Sequence, residues 1–360
     1  MGQREEPTDG VQEYCQYLGA GLEPLGIRLE IFRLRWVEAG WAEGVRELEG
    51  RIGEAGDTWV LVQYTALAWS RKGFPSRALR LLKLLKQRGA RCAVVFHDAG
   101  DYTGPRWRDR VRRRVQHFVM RELLRRSELG ILTVPREKLS WVPAKAKNVV
   151  FIPVGANLPT PEKAWTQNRK FSAGSVPAVA VFTITGGAAG EREVRWIAEA
   201  MSYAAGKVGR LRLVLLGRNS ENAGEKLREL LKGEDVEVDV RGLLPAEDLV
   251  QALGEANVML FVRAPLSSRR GSALAGIACG LPVVGREGSE TGAPITEAGV
   301  VLLLEDSTSE YGAALVRVLS DESYRASLAE RSRLAQERYF SWRAIAGAYA
   351  GALRGEKKFE

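Results

Sequence analysis

Short apolar runs and amphipathic stretches alternate along the whole chain. The runs are rich in Val, Ile and Leu, which is typical of buried strands. In the stretches between them, apolar residues recur at intervals of three and four, as they do on one face of a helix. This alternation is the pattern of parallel sheets with crossover helices, so we predict an α/β fold.

The first half predicts strands at residues 27–34, 59–64, 93–97, 131–134 and 149–152. Helices are predicted at 37–52, 76–88 and 108–126. In the last of these helices, the spacing of the apolar positions predicts that they face a core: Val111, Val115, Phe118, Val119 and Leu123. The second half predicts strands at 178–185, 211–216, 236–241, 258–262, 282–284 and 300–303. Each half therefore predicts a doubly wound sheet.

Residues 155–177 are rich in Pro, Gly and polar side chains and lack periodicity, which indicates a linker. We predict a Rossmann-like domain at 1–158, a linker at 159–176, a second Rossmann-like domain at 177–337 and a final helical segment at 338–360. Open parallel sheets bind ligands at the carboxyl ends of their strands, so we expect the two domains to face each other across a cleft.

Charge and cysteine content narrow the function classes. The formal net charge is +9, and six arginines crowd one stretch: Arg106, Arg108, Arg110, Arg112, Arg113 and Arg114. This predicts an anionic partner, which is a phosphate, an anionic lipid surface or a nucleic acid. No nucleic-acid-binding motif accompanies the charge, so we expect no nucleic acid partner. Three widely spaced cysteines predict neither a disulfide framework nor a metal site.

The chain opens with acidic residues where a secretory signal would be basic and then apolar. Its longest apolar runs are far shorter than the roughly 20 residues that cross a bilayer. We therefore expect a cytoplasmic protein.

Residues 256–285 (ANVMLFVRAPLSSRRGSALAGIACGLPVVG) carry the most informative pattern. A strand leads into a polar turn and then into a helix that starts near Gly271, followed by small residues such as Ser272. A helix amino terminus offers unpaired N–H groups and partial positive charge, which predicts an anion site. Arg263, Arg269 and Arg270 could converge on one diphosphate there. Solvated loop arginines are the alternative interpretation.

This segment resembles the second domain of the family-four glycosyltransferases, which have the GT-B fold. Four further segments resemble the family in the right order: VVFHDAG (94–100), VVFIPVGANL (149–158), RGLLPAEDLVQALGEANVML (241–260, with Asn257 in place of an aspartate) and RYFSWRAIAGAYAGAL (338–353). The resemblance implies two Rossmann-like domains facing a cleft and a last helix that crosses back to the first domain. It also implies transfer from a nucleotide-diphosphate sugar, with retention and without a metal or cofactor.

The chain departs from the family at its charged positions. Two glutamates usually bracket the phosphate turn, and Ser267 and Ala275 stand in their places. An arginine and a lysine usually follow the first strand of the second domain, and Gly186 and Glu191 stand there. We hypothesise that Arg263, Arg269 and Arg270 compensate, that the turn at Gly186 and Gly187 gives backbone approach, and that Arg192 lies nearby.

His97 closes a predicted strand and Asp98 follows it. The resemblance implies that a histidine here lies close to the donor sugar, whereas a structural histidine at a strand end is the alternative. If configuration is inverted, Asp98 or His97 becomes the candidate base.

The first predicted helix resembles the family's opening helix, which follows a glycine turn at Gly10. Residues 1–8 leave no room for the strand that normally precedes this turn, so we expect either that the start was placed late or that the first sheet lacks an edge or central strand.

The expected partners are a nucleotide sugar and a glycan or lipid-linked acceptor, with peripheral contact at an anionic inner membrane face. Two alternatives stay open. One is a sugar-nucleotide epimerase of the same architecture, and the other is a non-catalytic sugar-nucleotide or glycan binding protein on this fold.

Overall fold

The computed structural model describes residues 1–2, 10–52, 58–100, 104, 106–166, 175–305 and 307–356. The chain divides into two compact units. Unit 1 comprises Met1–Val154 and Trp342–Glu360, and unit 2 comprises Gly155–Ser341. Unit 2 is therefore continuous in sequence, whereas unit 1 is assembled from two separate segments.

Unit 1 contains a parallel sheet in the strand order β1-β2-β3-β4. Its strands are β1 (Trp59–Tyr64), β2 (Arg91–Phe96), β3 (Leu129–Leu132) and β4 (Val149–Phe151). Its helices are α1 (Gly10–Leu22), α2 (Trp41–Ile52), α3 (Ser76–Gln87), α4 (Trp107–Arg126) and α11 (Trp342–Arg354). Strand β2 is buried at every position after Arg91, because a parallel sheet is covered on both faces.

The predicted strand at residues 27–34 was wrong. No strand is assigned there within the described residues, although Met1 pairs with this segment: its amino group donates to the Phe32 carbonyl (2.6 Å), and the Leu34 N–H donates to the Met1 carbonyl (2.9 Å). A strand requires a ladder of repeated backbone hydrogen bonds, and one paired residue does not form one. Alternating apolar residues indicate which face of a segment is buried, but they do not show whether a neighbouring strand is present to pair with it.

Two predicted helix features also differ. Helix α2 begins at Trp41 instead of at residue 37, because Gly40 adopts a left-handed conformation (φ 83°) that interrupts the helix before it. On α4, Val119 and Leu123 are buried as expected, but Val111 and Phe118 are exposed. Apolar residues occur on both faces of α4, so spacing alone could not decide which face packs.

Helices α1 and α11 pack together within unit 1. The Tyr14 hydroxyl donates to the Tyr349 hydroxyl (2.8 Å) although the two residues are 335 positions apart, and both side chains are buried. The rings of Tyr17 and Trp342 stack with centroids 5.5 Å apart. A Cβ atom on Gly21 would lie 3.0 Å from the Trp342 carbonyl oxygen, so glycine permits this close approach. The last helix thus completes the core of unit 1.

Unit 2 contains a parallel sheet in the order β10-β9-β8-β5-β6-β7. Its strands are β5 (Ala178–Phe182), β6 (Leu211–Leu216), β7 (Val236–Gly242), β8 (Val258–Phe261), β9 (Val283–Arg286) and β10 (Val300–Leu303). Its helices are α5 (Gly187–Val208), α6 (Ser220–Leu230), α7 (Ala246–Gly254), α8 (Gly271–Ala278), α9 (Thr308–Ser320) and α10 (Glu322–Ala335). All six strands predicted in the second half are present, with shifts at their ends.

The predicted linker falls partly outside the described residues, at 167–174. Before that gap, Pro161–Thr166 form a short 3-10 helix that packs on unit 2. The Trp165 indole N–H donates to the Ala278 carbonyl (2.9 Å), at the end of α8.

Candidate functional site

The carboxyl ends of strands β5 and β8 lie side by side in the sheet of unit 2. From β5 the chain continues to β6 on one side, and from β8 it continues to β9 on the other side. This is a topological switch point, where the loops leaving two adjacent strands separate and open a crevice. Ligands of open α/β sheets bind at this position, so we take it as the candidate site.

The loop after β5 leads into helix α5. Thr183 (φ 69°) and Gly187 (φ 64°) both adopt left-handed conformations, and Gly186 caps the helix. Asn219 holds the loop from one side, because its side-chain amide donates to the Ile184 carbonyl (2.8 Å). Glu193 also fixes the loop, because its buried carboxylate accepts a hydrogen bond from the Thr185 N–H (2.8 Å). The start of α5 is therefore fixed before any ligand arrives.

Helix α5 also approaches this loop very closely at Gly190. A Cβ atom added there would lie 1.8 Å from the Thr185 carbonyl oxygen, far inside van der Waals contact. Only glycine allows the helix and the loop to lie this close together.

The loop after β8 leads into helix α8, whose first residue is Gly271. Gly271 is exposed, and no atom lies within 4 Å of the position its Cβ would occupy. Ser272 follows and is half-buried. The first N–H groups of a helix have no partner within the helix, so this open start can bind an anion.

An ion pair lies beside this helix start. Arg269 donates twice to Glu290, from Nε to Oε2 (2.7 Å) and from an Nη atom to Oε1 (2.9 Å). Both side chains are mostly buried, with 17% and 14% of their surface exposed. The hydroxyl of the buried Ser267 points at the same carboxylate (3.4 Å). The carboxylate of Glu290 thus lies beside Ser267, the serine that stands where the resembling family usually has a glutamate.

The three predicted arginines differ in their exposure and in their contacts. Arg263 is exposed just beyond the end of β8, Arg270 caps α8 and is half-buried, and Arg269 is engaged by Glu290. Arg192 lies on the second turn of α5, exposed, with its guanidinium 5.6 Å from the centre of the Trp196 ring. Of the three predicted arginines after β8, only Arg263 is exposed.

His97 and Asp98 lie in unit 1, directly after β2. The Nε2 atom of His97 is 2.7 Å from the side-chain oxygen of the buried Gln63, and the Tyr14 ring meets the imidazole edge-on (5.0 Å). Asp98 accepts a hydrogen bond from the Ala66 N–H (3.2 Å). Burial raises the pKa of the neighbouring Tyr64 hydroxyl well above its ordinary value, and the charge of Asp98 adds to this. Both candidate residues are held by named partners and half-buried.

Gly10 is the first residue of α1. The turn predicted before it falls on residues 3–9, which lie outside the described part of the chain.

A cavity of about 350 Å³ occupies a different place in unit 2. It is lined by Trp165, Asn257, Pro282 and residues of α10, and therefore lies at the amino ends of β8 and β9. Asn257 has a structural role there, because its side-chain oxygen accepts from the Ala178 N–H (2.7 Å) at the start of β5. Since parallel sheets bind ligands at the opposite ends of their strands, we do not assign the donor site to this cavity.

Two kinds of feature are not found within the described residues. No group of three or more His, Cys, Asp or Glu side chains is arranged to hold a metal ion. No helix in that part of the chain has the length and apolar character needed to cross a bilayer.

Sequence reasoning missed three residues of this site: Glu290, Glu193 and Asn219. Glu193 had a signal, because it falls on the buried face of α5 between Gly190 and Val194, where a charged residue needs a partner. Glu290 had none, since it is 21 positions from Arg269 and lies in an irregular loop.

Comparison with known proteins finds a family match for part of the chain. Residues 180–321 match the model of the family described as "Glycosyl transferases group 1". No curated protein sequence matches the chain.

Several solved structures share the fold over nearly the whole chain. HepE of Anabaena, in complex with UDP, has a TM-score of 0.65 at 15% identity, covering 98% of both chains. Sucrose-phosphate synthase of Thermosynechococcus elongatus has a TM-score of 0.66 at 21% identity, covering 97% of this chain and 94% of that one. WaaG, a glycosyltransferase involved in lipopolysaccharide biosynthesis, has a TM-score of 0.59 at 12% identity, covering 97% of each. These structures have the GT-B fold.

Proposed function

We propose that this chain is a glycosyltransferase that moves a sugar from a nucleotide-diphosphate sugar to a glycan or lipid-linked acceptor, because residues 180–321 match the group 1 family and the chain has the GT-B fold. The reaction proposed needs neither a metal nor a cofactor. HepE has been solved with UDP and with UDP-glucose, which supports a nucleotide sugar as the donor.

The observation that carries the proposal is the pair of helix starts at the switch point. Gly187 and Gly271 begin α5 and α8 at the ends of adjacent strands, and neither has an atom within 4 Å of its Cβ position. Backbone N–H groups and two helix dipoles can therefore reach an anionic ligand without a side chain in the way. A diphosphate suits two such starts, because its charge is spread over two neighbouring phosphates.

The departing diphosphate gains charge as the glycosidic bond breaks, and donors already in place at that point lower the barrier. We propose that Arg263 and Arg270 supply these donors together with the backbone of Gly186 and Gly187. We propose that Arg269 acts mainly by holding Glu290 instead of by binding the diphosphate directly.

Glu290 is proposed to contact the donor sugar from its position beside Ser267. A carboxylate that already accepts two hydrogen bonds from Arg269 is fixed in direction, and its remaining lone pairs can accept from sugar hydroxyls. Arg269 and Ser267 are then positioning residues for Glu290.

We propose retention of configuration at the transferred carbon. The bond from that carbon to the diphosphate oxygen breaks, the acceptor oxygen forms the new bond on the same face, and the acceptor proton passes to the leaving diphosphate. No protein base is then needed, and His97 and Asp98 serve in hydrogen bonding. Inversion would instead require one of them as the base.

The test incubates the protein with a panel of nucleotide sugars and candidate acceptors, following nucleotide release, sugar isomerisation and binding in parallel. Acceptor-dependent nucleotide release supports the proposal. Isomerisation without release would establish an epimerase, and binding without either reaction would establish a non-catalytic binding protein.

A variant pair links the activity to the site. Arg263→Ala is expected to lower kcat by about 10²-fold, the effect of removing one preorganised donor. Arg228→Ala is the control, since Arg228 is an exposed arginine of α6, away from the carboxyl ends of β5 and β8. Equal activity of both variants would remove Arg263 from the proposed site.

A lipid-linked acceptor would place the protein in the cytoplasm at the inner face of a membrane. We propose this location together with the transferase function, with peripheral contact as the mode of attachment.

A further inference from the structure

Helix α4 concentrates positive charge to an unusual degree. Its 20 residues contain eight arginines against two acidic residues, Asp109 and Glu122. The helix therefore has a net charge of +6, two thirds of the +9 of the whole chain. Such a concentration on one helix of unit 1 gives that surface a strong attraction for anions.

The outward face of α4 is apolar as well as basic. Trp107, Val111 and Phe118 expose 64%, 41% and 61% of their surface. At about 100° per residue, these three side chains fall within about 40° of one another around the helix axis. They form one stripe on the side opposite to the buried residues Gln116 and Met120. Exposed large apolar residues are usually scattered, so an aligned set suggests an interaction surface.

Arginines flank this stripe closely. Arg110 and Arg114 are exposed on the same side, and neither has a carboxylate partner within the described residues. The guanidinium of Arg108 lies 5.6 Å from the Trp107 ring centre. Among the residues that the structure describes, these two positive charges beside the apolar side chains are thus not neutralised by an ion pair.

A loop packs on α4 on the side away from the stripe. The Gln116 side chain donates to the Gly73 carbonyl (2.9 Å), and the Arg112 guanidinium is 6.0 Å from the Phe74 ring centre. Phe74 and Lys72 are both exposed on this loop. An aromatic ring and a further cation therefore lie next to the helix.

We propose that the stripe Trp107, Val111 and Phe118 inserts into the interface of an anionic lipid bilayer while Arg110 and Arg114 bind lipid phosphates. A helix that lies in the plane of a membrane has this composition, with aromatic and aliphatic side chains reaching the acyl boundary between basic ones. A nucleic acid would satisfy the arginines but would leave the aliphatic Val111 and the length of the stripe without a role. The bilayer is therefore the partner that matches both the charge and the apolar side chains.

This inference rests on the proposed function in one respect: a lipid-linked acceptor would require unit 1 to bind at a bilayer surface. Vesicle binding is measured without donor or acceptor, so a failure to bind would leave nucleotide release to a soluble acceptor unaffected. Loss of nucleotide release with intact vesicle binding would instead count against the transferase.

The experiment uses the full chain and vesicle flotation at low salt. The vesicles are equal parts phosphatidylglycerol and phosphatidylethanolamine, with phosphatidylcholine vesicles for comparison. We expect flotation with the anionic vesicles alone, weakening as salt is added because surface charges are screened. Failure to float with anionic vesicles at low salt would overturn the proposal, as would equal flotation with both kinds of vesicle.

Two double variants separate charge from insertion. Arg110→Glu/Arg114→Glu and Trp107→Ser/Phe118→Ser are each expected to lower the partition coefficient by about tenfold or more. Arg228→Glu/Leu230→Ser makes the matched change on an exposed face of α6 and should float like the unaltered protein. Because all these side chains are exposed, the melting temperature should stay unchanged in each variant.

A local measurement completes the test. A polarity-sensitive dye on Phe118→Cys should shift to the blue with anionic vesicles and not with phosphatidylcholine, and an unshifted dye would overturn insertion of the stripe. Retention by single-stranded RNA at the salt concentration that releases the protein from vesicles would identify a nucleic acid partner and overturn the proposal.

Discussion

The closest backbone approach in the candidate site is at Gly190, and it makes a sharp prediction. In Gly190→Ala, the new Cβ would lie 1.8 Å from the Thr185 carbonyl oxygen, whereas real Cβ contacts essentially never fall below 3.0 Å. The loop or the helix must therefore move by at least about 1.2 Å, the difference of the two distances. Neither side can yield cheaply, because Thr185 is also tied by its N–H to the buried Glu193.

Two effects should follow from this displacement. Overpacking of this kind costs about 1–3 kcal/mol of unfolding free energy. For a unit of this size, the melting temperature should fall by roughly 2–4 °C per kcal/mol. The start of α5 should shift as well, and a displacement of about 1 Å at a binding site can lower activity by about 10²-fold. Thermal unfolding and titration with nucleoside diphosphate measure the two effects separately.

Gly206→Ala is the matched control because Gly206 lies in the same helix with no atom within 4 Å of its Cβ position. Alanine has a higher helix propensity than glycine, so this variant should be more stable by about 0.5–1 kcal/mol and should bind nucleotide normally. The reasoning fails if Gly190→Ala matches Gly206→Ala in both melting temperature and nucleotide affinity.

Two further predictions concern buried polar groups. Tyr349→Phe leaves the buried Tyr14 hydroxyl without its acceptor and should lower the free energy of unfolding by about 1–2 kcal/mol. Combining it with Tyr14→Phe removes both hydroxyls, so the double variant should lose less than the two single variants combined. Chemical denaturation of all three variants measures these losses, and strict additivity would contradict the prediction. Burial raises the pKa of the Cys92 and Cys279 thiols to about 12, so neither should react with a thiol reagent near pH 8 in the native protein. Both should react after unfolding. Rapid labelling of either thiol in the native protein would contradict this prediction.

The sequence predicted those parts of the fold that depend on local pattern. Strand β2 and the inner strands β5, β6, β8 and β9 of unit 2 are mostly buried apolar runs, which a parallel sheet covered on both faces accommodates. Residues 27–34 alternate apolar and charged side chains as a half-buried strand would, but they form no strand, because pairing depends on a neighbour that local pattern does not reveal. The exposed faces of Val111 and Phe118 were missed for a related reason, since apolar spacing marks a stripe without telling what covers it.

The candidate site was predictable where the backbone forms it and not where side chains meet across loops. Gly271 and the arginines after β8 were visible as a turn before a helix. The bond from Arg269 to Glu290 was not, because it joins two loops that only the sheet order brings together. In the sequence, the glutamate that the family usually has at the position of Ser267 is therefore missing, whereas in the folded chain the carboxylate of Glu290 lies beside Ser267.

The pairing of α1 with α11 has a consequence for how the protein is made. A ribosome emits α1 before unit 2 and α11 after it. Unit 2 can fold as soon as it emerges, but Tyr14 and Tyr17 must wait for Tyr349 and Trp342 before their surface is covered. During translation, unit 1 therefore exposes an aromatic surface until α11 has been synthesised, and chaperone dependence in the cell should concentrate in that interval.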